Sequence, residues 1–148
     1  LEFAAQMLQG AGDKLVLPTD LVVAPALAPN TPTQTVPVSQ IPPDQMGLDI
    51  GAETARAFGE VVRTARTVVW NGPLGAFETP PFEQGTRAVL QALAESGAVS
   101  ILGGGDTAAA AEQLGFADRM THISTGGGAS LEFLEGRTLP GVAALLDA

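Results

Sequence analysis

The chain of 148 residues contains no cysteine, so it can form neither a disulfide nor a thiolate metal site, a composition that suits the cytoplasm. Basic residues are scarce too: seven against sixteen acidic ones give a formal net charge of −9, and Lys14 is the single lysine. That balance argues against nucleic acid or an anionic membrane as partner. No apolar run approaches the length that spans a bilayer, and no basic-then-apolar signal segment opens the chain. The one histidine, His122, has no candidate nucleophile near it in the sequence. A lone histidine on a strand is more often a hydrogen-bonded support than a general base. Any phosphate held here must lean on backbone N–H groups, on a metal ion, or on basic groups from elsewhere.

Glycine, by contrast, is abundant, and two triplets each follow a short apolar run. Val99-Ser100-Ile101-Leu102 reads as a fully buried strand. Gly103-Gly104-Gly105-Asp106-Thr107 then leads into the alanine-rich run from Ala108 to Leu114, a strong helix former that Gly115 is placed to stop. Thr121-His122-Ile123-Ser124 reads as the next strand and runs into Thr125-Gly126-Gly127-Gly128-Ala129-Ser130. A second helix from Leu131 to Glu135 follows, with Ser130 as its cap and Gly136 as its stop. Two strands joined by a helix run parallel, so both loops leave one edge of the sheet, where open parallel sheets bind ligands. Two helix N-termini, with bare N–H groups that favour an anion, would converge there. Asp106 would repel a bare phosphate, but the conflict disappears if Mg²⁺ bridges the carboxylate to phosphate oxygens. The pattern predicts a seat for the phosphates of a magnesium–nucleotide.

The rest of the chain frames that edge. Leu1 to Leu8 reads as a helix with Phe3, Ala4, Met7 and Leu8 on one face, ended by Gly10 and Gly12. Lys14-Leu15-Val16-Leu17 and Asp20-Leu21-Val22-Val23-Ala24 read as short strands around Pro18. Six of the eleven prolines lie between Pro25 and Pro43, which makes that segment an extended connector in which Val36-Pro37-Val38 can pair only as an edge strand. Met46 to Gly51 reads as a loop into a helix from Ala52 to Ala65, with Ala55, Phe58, Val62 and Ala65 inward and Glu53, Arg56, Glu60 and Arg63 in water. Leu48 is either core or an apolar wall under a base. Thr67-Val68-Val69-Trp70 reads as a buried strand with Trp70 in the core, and Asn71-Gly72-Pro73 breaks it. The long loop that follows carries Glu78, whose carboxylate suits ribose hydroxyls and equally suits plain solvent exposure. A helix from Phe82 to Ser96 turns Val89, Leu90, Leu93 and Ala94 inward, and the apolar tail Ala143 to Leu146 should dock on something. The fold expected is α/β, a Rossmann-like three-layer sandwich with a mostly parallel sheet.

Three long motifs point further. Trp70-Asn71-Gly72-Pro73-Leu74-Gly75-Ala76-Phe77-Glu78, Gly103-Gly104-Gly105-Asp106-Thr107 and His122 through Glu132 resemble phosphoglycerate kinase in the same order, and Met46–Gly51 and Leu134–Val142 resemble it as well. The resemblance spans essentially the whole chain but only the later part of that family's nucleotide-binding lobe. It implies that residues 1–148 are a partial C-terminal domain, an incomplete lobe of a two-lobed kinase whose N-terminal substrate lobe is absent. It further implies that Asp106 reaches the nucleotide's Mg²⁺, that Gly104, Gly105 and Thr107 hold phosphates, and that Glu78 takes the ribose hydroxyls. Leu48, Asn71, Pro73 and Ala76 would line the nucleoside pocket, while Gly105, Gly126, Gly127 and Gly128 would face the phosphoryl group in flight.

The implied reaction is reversible phosphoryl transfer between ATP and 3-phosphoglycerate, giving ADP and 1,3-bisphosphoglycerate in glycolysis. The implied setting is cytoplasmic, and the full-length form a monomer. The basic groups that would neutralise the transferring phosphate have no counterpart here, and Ala24-Pro25-Ala26-Leu27 departs from the family's usual Asp-Lys-Phe pattern. The chain alone is therefore expected to bind nucleotide feebly and to transfer nothing. A non-catalytic nucleotide-binding or interaction module is the alternative. A dinucleotide oxidoreductase fits poorly, since no segment matches Gly-x-Gly-x-x-Gly with an acid about twenty residues on.

Overall fold

The computed structural model describes residues 2–146. Helix α1 (Glu2–Ala11) runs through Gly10, buries none of its residues and leaves Phe3, Met7 and Leu8 exposed. The strand expected at Lys14-Leu15-Val16-Leu17 does not form. A 3₁₀ turn occupies Gly12–Lys14, and residues 15–18 stay irregular and pair with no strand among the described residues. Strand β1 (Asp20–Ala24) forms where expected, at the centre of an antiparallel sheet between β2 (Gln34–Pro37) and β3 (Met46–Ile50). Strand β2 takes the edge, the position open to Pro37. Strand β3 corrects the loop expected at Met46–Gly51. Gly47 and Asp49 lower its local strand propensity, and antiparallel pairing with β1 overrides that preference.

Helices α2 (Ala52–Thr64) and α3 (Gln84–Ser96) pack side by side. On α2 the charged face lies in water as expected, and an added Cβ at Gly59 would stand 3.4 Å from that of Ala92 on α3. On α3, Val89, Leu90 and Leu93 are buried, and Ala92 is buried in place of the expected Ala94.

Strands β4 (Thr67–Asn71), β5 (Val99–Gly103) and β6 (His122–Ser124) form a parallel sheet in that order. The crossovers are α3 and α4 (Gly105–Gln113). Crossovers of one hand that advance in one direction place their helices on the same face. There Val89, Leu90 and Leu93 of α3 and Ala111 of α4 close over Trp70 and Leu102, and Ile50 of β3 joins the same core. Helix α5 (Gly127–Leu134) stands on the opposite face, above a recess of 360 Å³ floored by Val69 and Ile101. Helices thus flank the parallel sheet on both sides, the α/β layering expected.

Strand β5 is not buried on both faces. Ser100 and Leu102 are inside, whereas Val99 is 46 % exposed. The C-terminal tail forms helix α6 (Pro140–Leu146), whose Leu145 and Leu146 remain exposed, undocked among the described residues.

Candidate functional site

Parallel register sets the site. Asn71 of β4 lies opposite Gly103 of β5, which lies opposite Ser124 of β6, so all three loops leave from one row. At the first loop Gly104 adopts φ +98, a conformation L side chains rarely adopt, and its N–H reaches the Ser124 carbonyl at 2.9 Å. That turn lets α4 start at Gly105, ahead of the alanine run, and puts Asp106 in its exposed first turn. Thr107 is buried, and its hydroxyl accepts the Gly72 N–H at 2.8 Å.

The second loop closes on the first. Helix α5 begins at Gly127, where an added Cβ would stand 2.8 Å from the Gly104 Cα. Asn71 Nδ2 donates to the Gly127 carbonyl at 3.4 Å, tying the end of β4 to the start of α5. Around Gly105 and Gly128, by contrast, a Cβ would meet open space. Ser130 is not the cap expected: its hydroxyl donates one turn back to the Gly126 carbonyl at 2.9 Å, and Gly126 occupies the cap position. His122 is exposed at the start of β6, and no hydrogen bond to a described residue supports its ring, contrary to expectation.

A third wall comes from the loop after β4. The Ala76 N–H reaches the Leu48 carbonyl at 2.9 Å, which joins this loop to β3. Leu48, Pro73 and Ala76 therefore come together on a cavity of 280 Å³, with Leu74 and Asp49 also in its lining. Asn71 and Glu78 are not in that lining; Asn71 stands between the glycine loops and Glu78 is exposed further along the loop.

Sequence reasoning missed two buried polar side chains behind this wall. Asp49 is buried and accepts the Gly85 N–H and its neighbour Ile50's N–H, each at 2.8 Å. Burial pushes its carboxyl up to about 6 against those two hydrogen bonds, with Glu83 adding repulsion. The Thr86 hydroxyl, on α3, accepts the Leu74 N–H at 3.0 Å. An acid inside a strand-length apolar segment was the available signal for Asp49, and reading Met46–Gly51 as a loop hid it. Asp20 behaves oppositely. Burial raises its carboxyl, but the Thr54 hydroxyl and the N–H groups of Thr54 and Glu53 outweigh burial and hold it below the ordinary value.

One carboxylate, Asp106, stands at the glycine loops' open edge, and the described residues hold no cluster of three or more His, Asp or Glu for a metal. A single carboxylate does not make a protein-only cage; it would fit Mg²⁺ only with substrate phosphates completing the shell, as that ion is commonly held by one or two carboxylates plus such phosphates.

The fold and its edge define the class: an α/β protein of the Rossmann-like kind with glycine loops at the carboxyl ends of parallel strands. A profile described as Phosphoglycerate kinase matches residues 1–137. The chain is 64 % identical over 134 residues to the phosphoglycerate kinase of Pelotomaculum thermopropionicum, covering 90 % of this chain and 34 % of that protein. It is 58 % identical over 137 residues to that of Roseiflexus castenholzii, covering 93 % and 35 %. The solved phosphoglycerate kinase of Coxiella burnetii superposes with a TM-score of 0.89 at 41 % identity, over 96 % of this chain and 38 % of that one. The enzyme of Pyrococcus horikoshii OT3 gives 0.84 at 34 % identity, over 98 % and 36 %. The chain belongs to the phosphoglycerate kinase family and spans about a third of the length of the curated relatives it matches.

Proposed function

We propose that this chain supplies the magnesium–nucleotide seat of a cytoplasmic kinase that moves a phosphoryl group reversibly between ATP and 3-phosphoglycerate, a glycolytic step. The observation that carries it is the contact of Gly127 with Gly104, which brings two helix N-termini to one sheet edge beside Asp106. In this reading Gly104, Gly105 and the Thr107 segment cradle the nucleotide phosphates, and Gly126, Gly127 and Gly128 face the group in transfer. Leu48, Pro73 and Ala76 wall the nucleoside, with Asn71 and Glu78 at its margin, Glu78 taking the ribose. Asp106 would hold Mg²⁺, which supplies neutralisation of phosphate charge when bound. Such chemistry asks for positioning and charge neutralisation, not for a protein nucleophile.

No Lys or Arg lines the cavity walled by Leu48, Pro73 and Ala76 or the recess beneath α5. That observation favours a second reading, a nucleotide-binding module that does no chemistry by itself. In that reading 3-phosphoglycerate and the neutralising cations are supplied from outside this chain.

Calorimetric titration of the 148-residue chain with Mg-ADP and with metal-free ADP tests the seat. The expected result is weak binding that tightens with Mg²⁺, and an Asp106→Asn variant that loses about tenfold in Mg-ADP affinity while binding metal-free ADP as before. Failure to bind millimolar Mg-ADP would sink the proposal. A coupled assay with 3-phosphoglycerate is expected to show no turnover by the chain alone, and ordinary kinase turnover would overturn that half.

A further inference from the structure

The nucleoside wall is a loop whose shape is set from behind. Between Gly72 and Ala76 three of the four backbone donors are taken by groups outside the loop. The Gly72 N–H goes to Thr107, the Leu74 N–H to Thr86 and the Ala76 N–H to the Leu48 carbonyl, at 2.8, 3.0 and 2.9 Å. Thr107 and Leu48 belong to the site already described, whereas Thr86 does not line the cavity and is only 1 % exposed. It sits in the first turn of α3, a helix whose Gly85 N–H is held in turn by Asp49. Gly75, next to the pinned Leu74, lies so near that an added Cβ would overlap the Asp49 carboxylate.

We propose that Thr86 is a positioning residue for the nucleoside: its hydroxyl fixes Leu74, and through Leu74 it aims Pro73 and Ala76 at the base, with Asp49 anchoring α3 behind it. The proposal rests on the nucleotide reading above and adds a division of labour to it. The phosphate seat is built from the turns after β5 and β6, and Thr86 touches neither of them. The Leu74 N–H sits in a part-buried bond, and once its acceptor is gone it reaches water most readily if the loop moves outward. Without Thr86's oxygen the wall should shift while the glycine loops keep their shape.

Thr86→Val keeps the side-chain volume and removes the acceptor; Thr86→Ser keeps the acceptor and removes a methyl. Titrating both variants and the unaltered 148-residue chain with Mg-ADP and with Mg-pyrophosphate separates nucleoside recognition from phosphate recognition. The expected result is a loss of about three- to tenfold in Mg-ADP affinity for Thr86→Val, the equivalent of one hydrogen bond, with pyrophosphate affinity unchanged and Mg-ADP affinity restored in Thr86→Ser. A Thr86→Val chain that binds Mg-ADP as tightly as the unaltered chain overturns the proposal. So does one that loses both ligands in equal measure, because that is the signature of a merely structural residue. An unaltered chain that binds neither ligand overturns the nucleotide reading itself, and the two failures are therefore told apart.

Discussion

Asp49 and Asp20 are buried acids of the same antiparallel sheet, and their surroundings pull them in opposite directions. Three donors on α2 stabilise the charge on Asp20, so its contribution to stability is present above the ordinary carboxylate range and is lost as pH falls through its lowered value. Asp49 reverses that sign. Its carboxyl moves from 3.8 to about 6 because burial penalises the charged form, and Glu83, which pairs with Arg87, repels it. A raised value in the folded state means that the neutral form is favoured. That favourable contribution is complete below about pH 4 and is lost as pH rises through about 6. Asp49→Asn cannot ionise, so the melting temperature of the unaltered chain relative to this variant should fall by a few degrees between pH 4.5 and 7.5, on the order expected for about 1 kcal/mol in a domain of this size. Scanning calorimetry at four or five pH values measures it, with the constant offset from altered hydrogen bonds disregarded. A difference that is flat or rises with pH would show that the Asp49 carboxyl is not raised in the folded state.

The two glycine loops were the elements most legible in the sequence, because their signal is local. An apolar run, a triplet of glycines and a helix former define strand, turn and helix without help from the rest of the chain. The positive φ at Gly104, Gly115 and Gly136 falls at the turn and the two helix stops where glycine was expected. What escaped was non-local. Strand β3 forms through its pairing with β1, whereas residues 14–17 pair with no described strand and stay out of the sheets. Thr86 lies in no motif, and the family-like stretch Met46–Gly51 assigns no role to its Asp49; only the tertiary fold puts a hydroxyl of α3 under Leu74. The loop contact itself is testable. Gly127→Ala places a methyl 2.8 Å from the Gly104 Cα, too close for a carbon pair and against backbone that cannot rotate away. Denaturant titration should show a loss of about 1–3 kcal/mol, the usual cost of overpacking. Gly128→Ala, in the same turn of α5 with open space around it, should be neutral or slightly stabilising. Equal costs at the two positions would mean that the loops do not touch.

Across the whole molecule the parallel sheet is finished on one face only. Trp70 and Leu102 are sealed under α3 and α4, whereas Val69 is 42 % and Val99 46 % exposed on the other side. Parallel sheets are ordinarily covered on both faces, and an open face beside an unpaired outer edge invites pairing with another chain. Among the described residues β4 pairs with β5 alone, so its outer edge is free, and Phe133 and Leu134 of α5 extend the apolar surface. Net charge of −9 opposes association of two such chains, but that repulsion is screened by salt while the apolar attraction is not. The two effects separate by ionic strength. Sedimentation of the 148-residue chain should show an apparent mass above 15.0 kDa that increases with protein concentration and increases further at about 1 M salt, where the Debye length falls to about 3 Å. Val99→Lys places charge on the open face away from the recess beneath α5, and should return the chain toward 15.0 kDa at every salt concentration. A chain that stays at 15.0 kDa throughout, or one whose association weakens as salt is added, would show that the exposed valine face does not drive contact between copies.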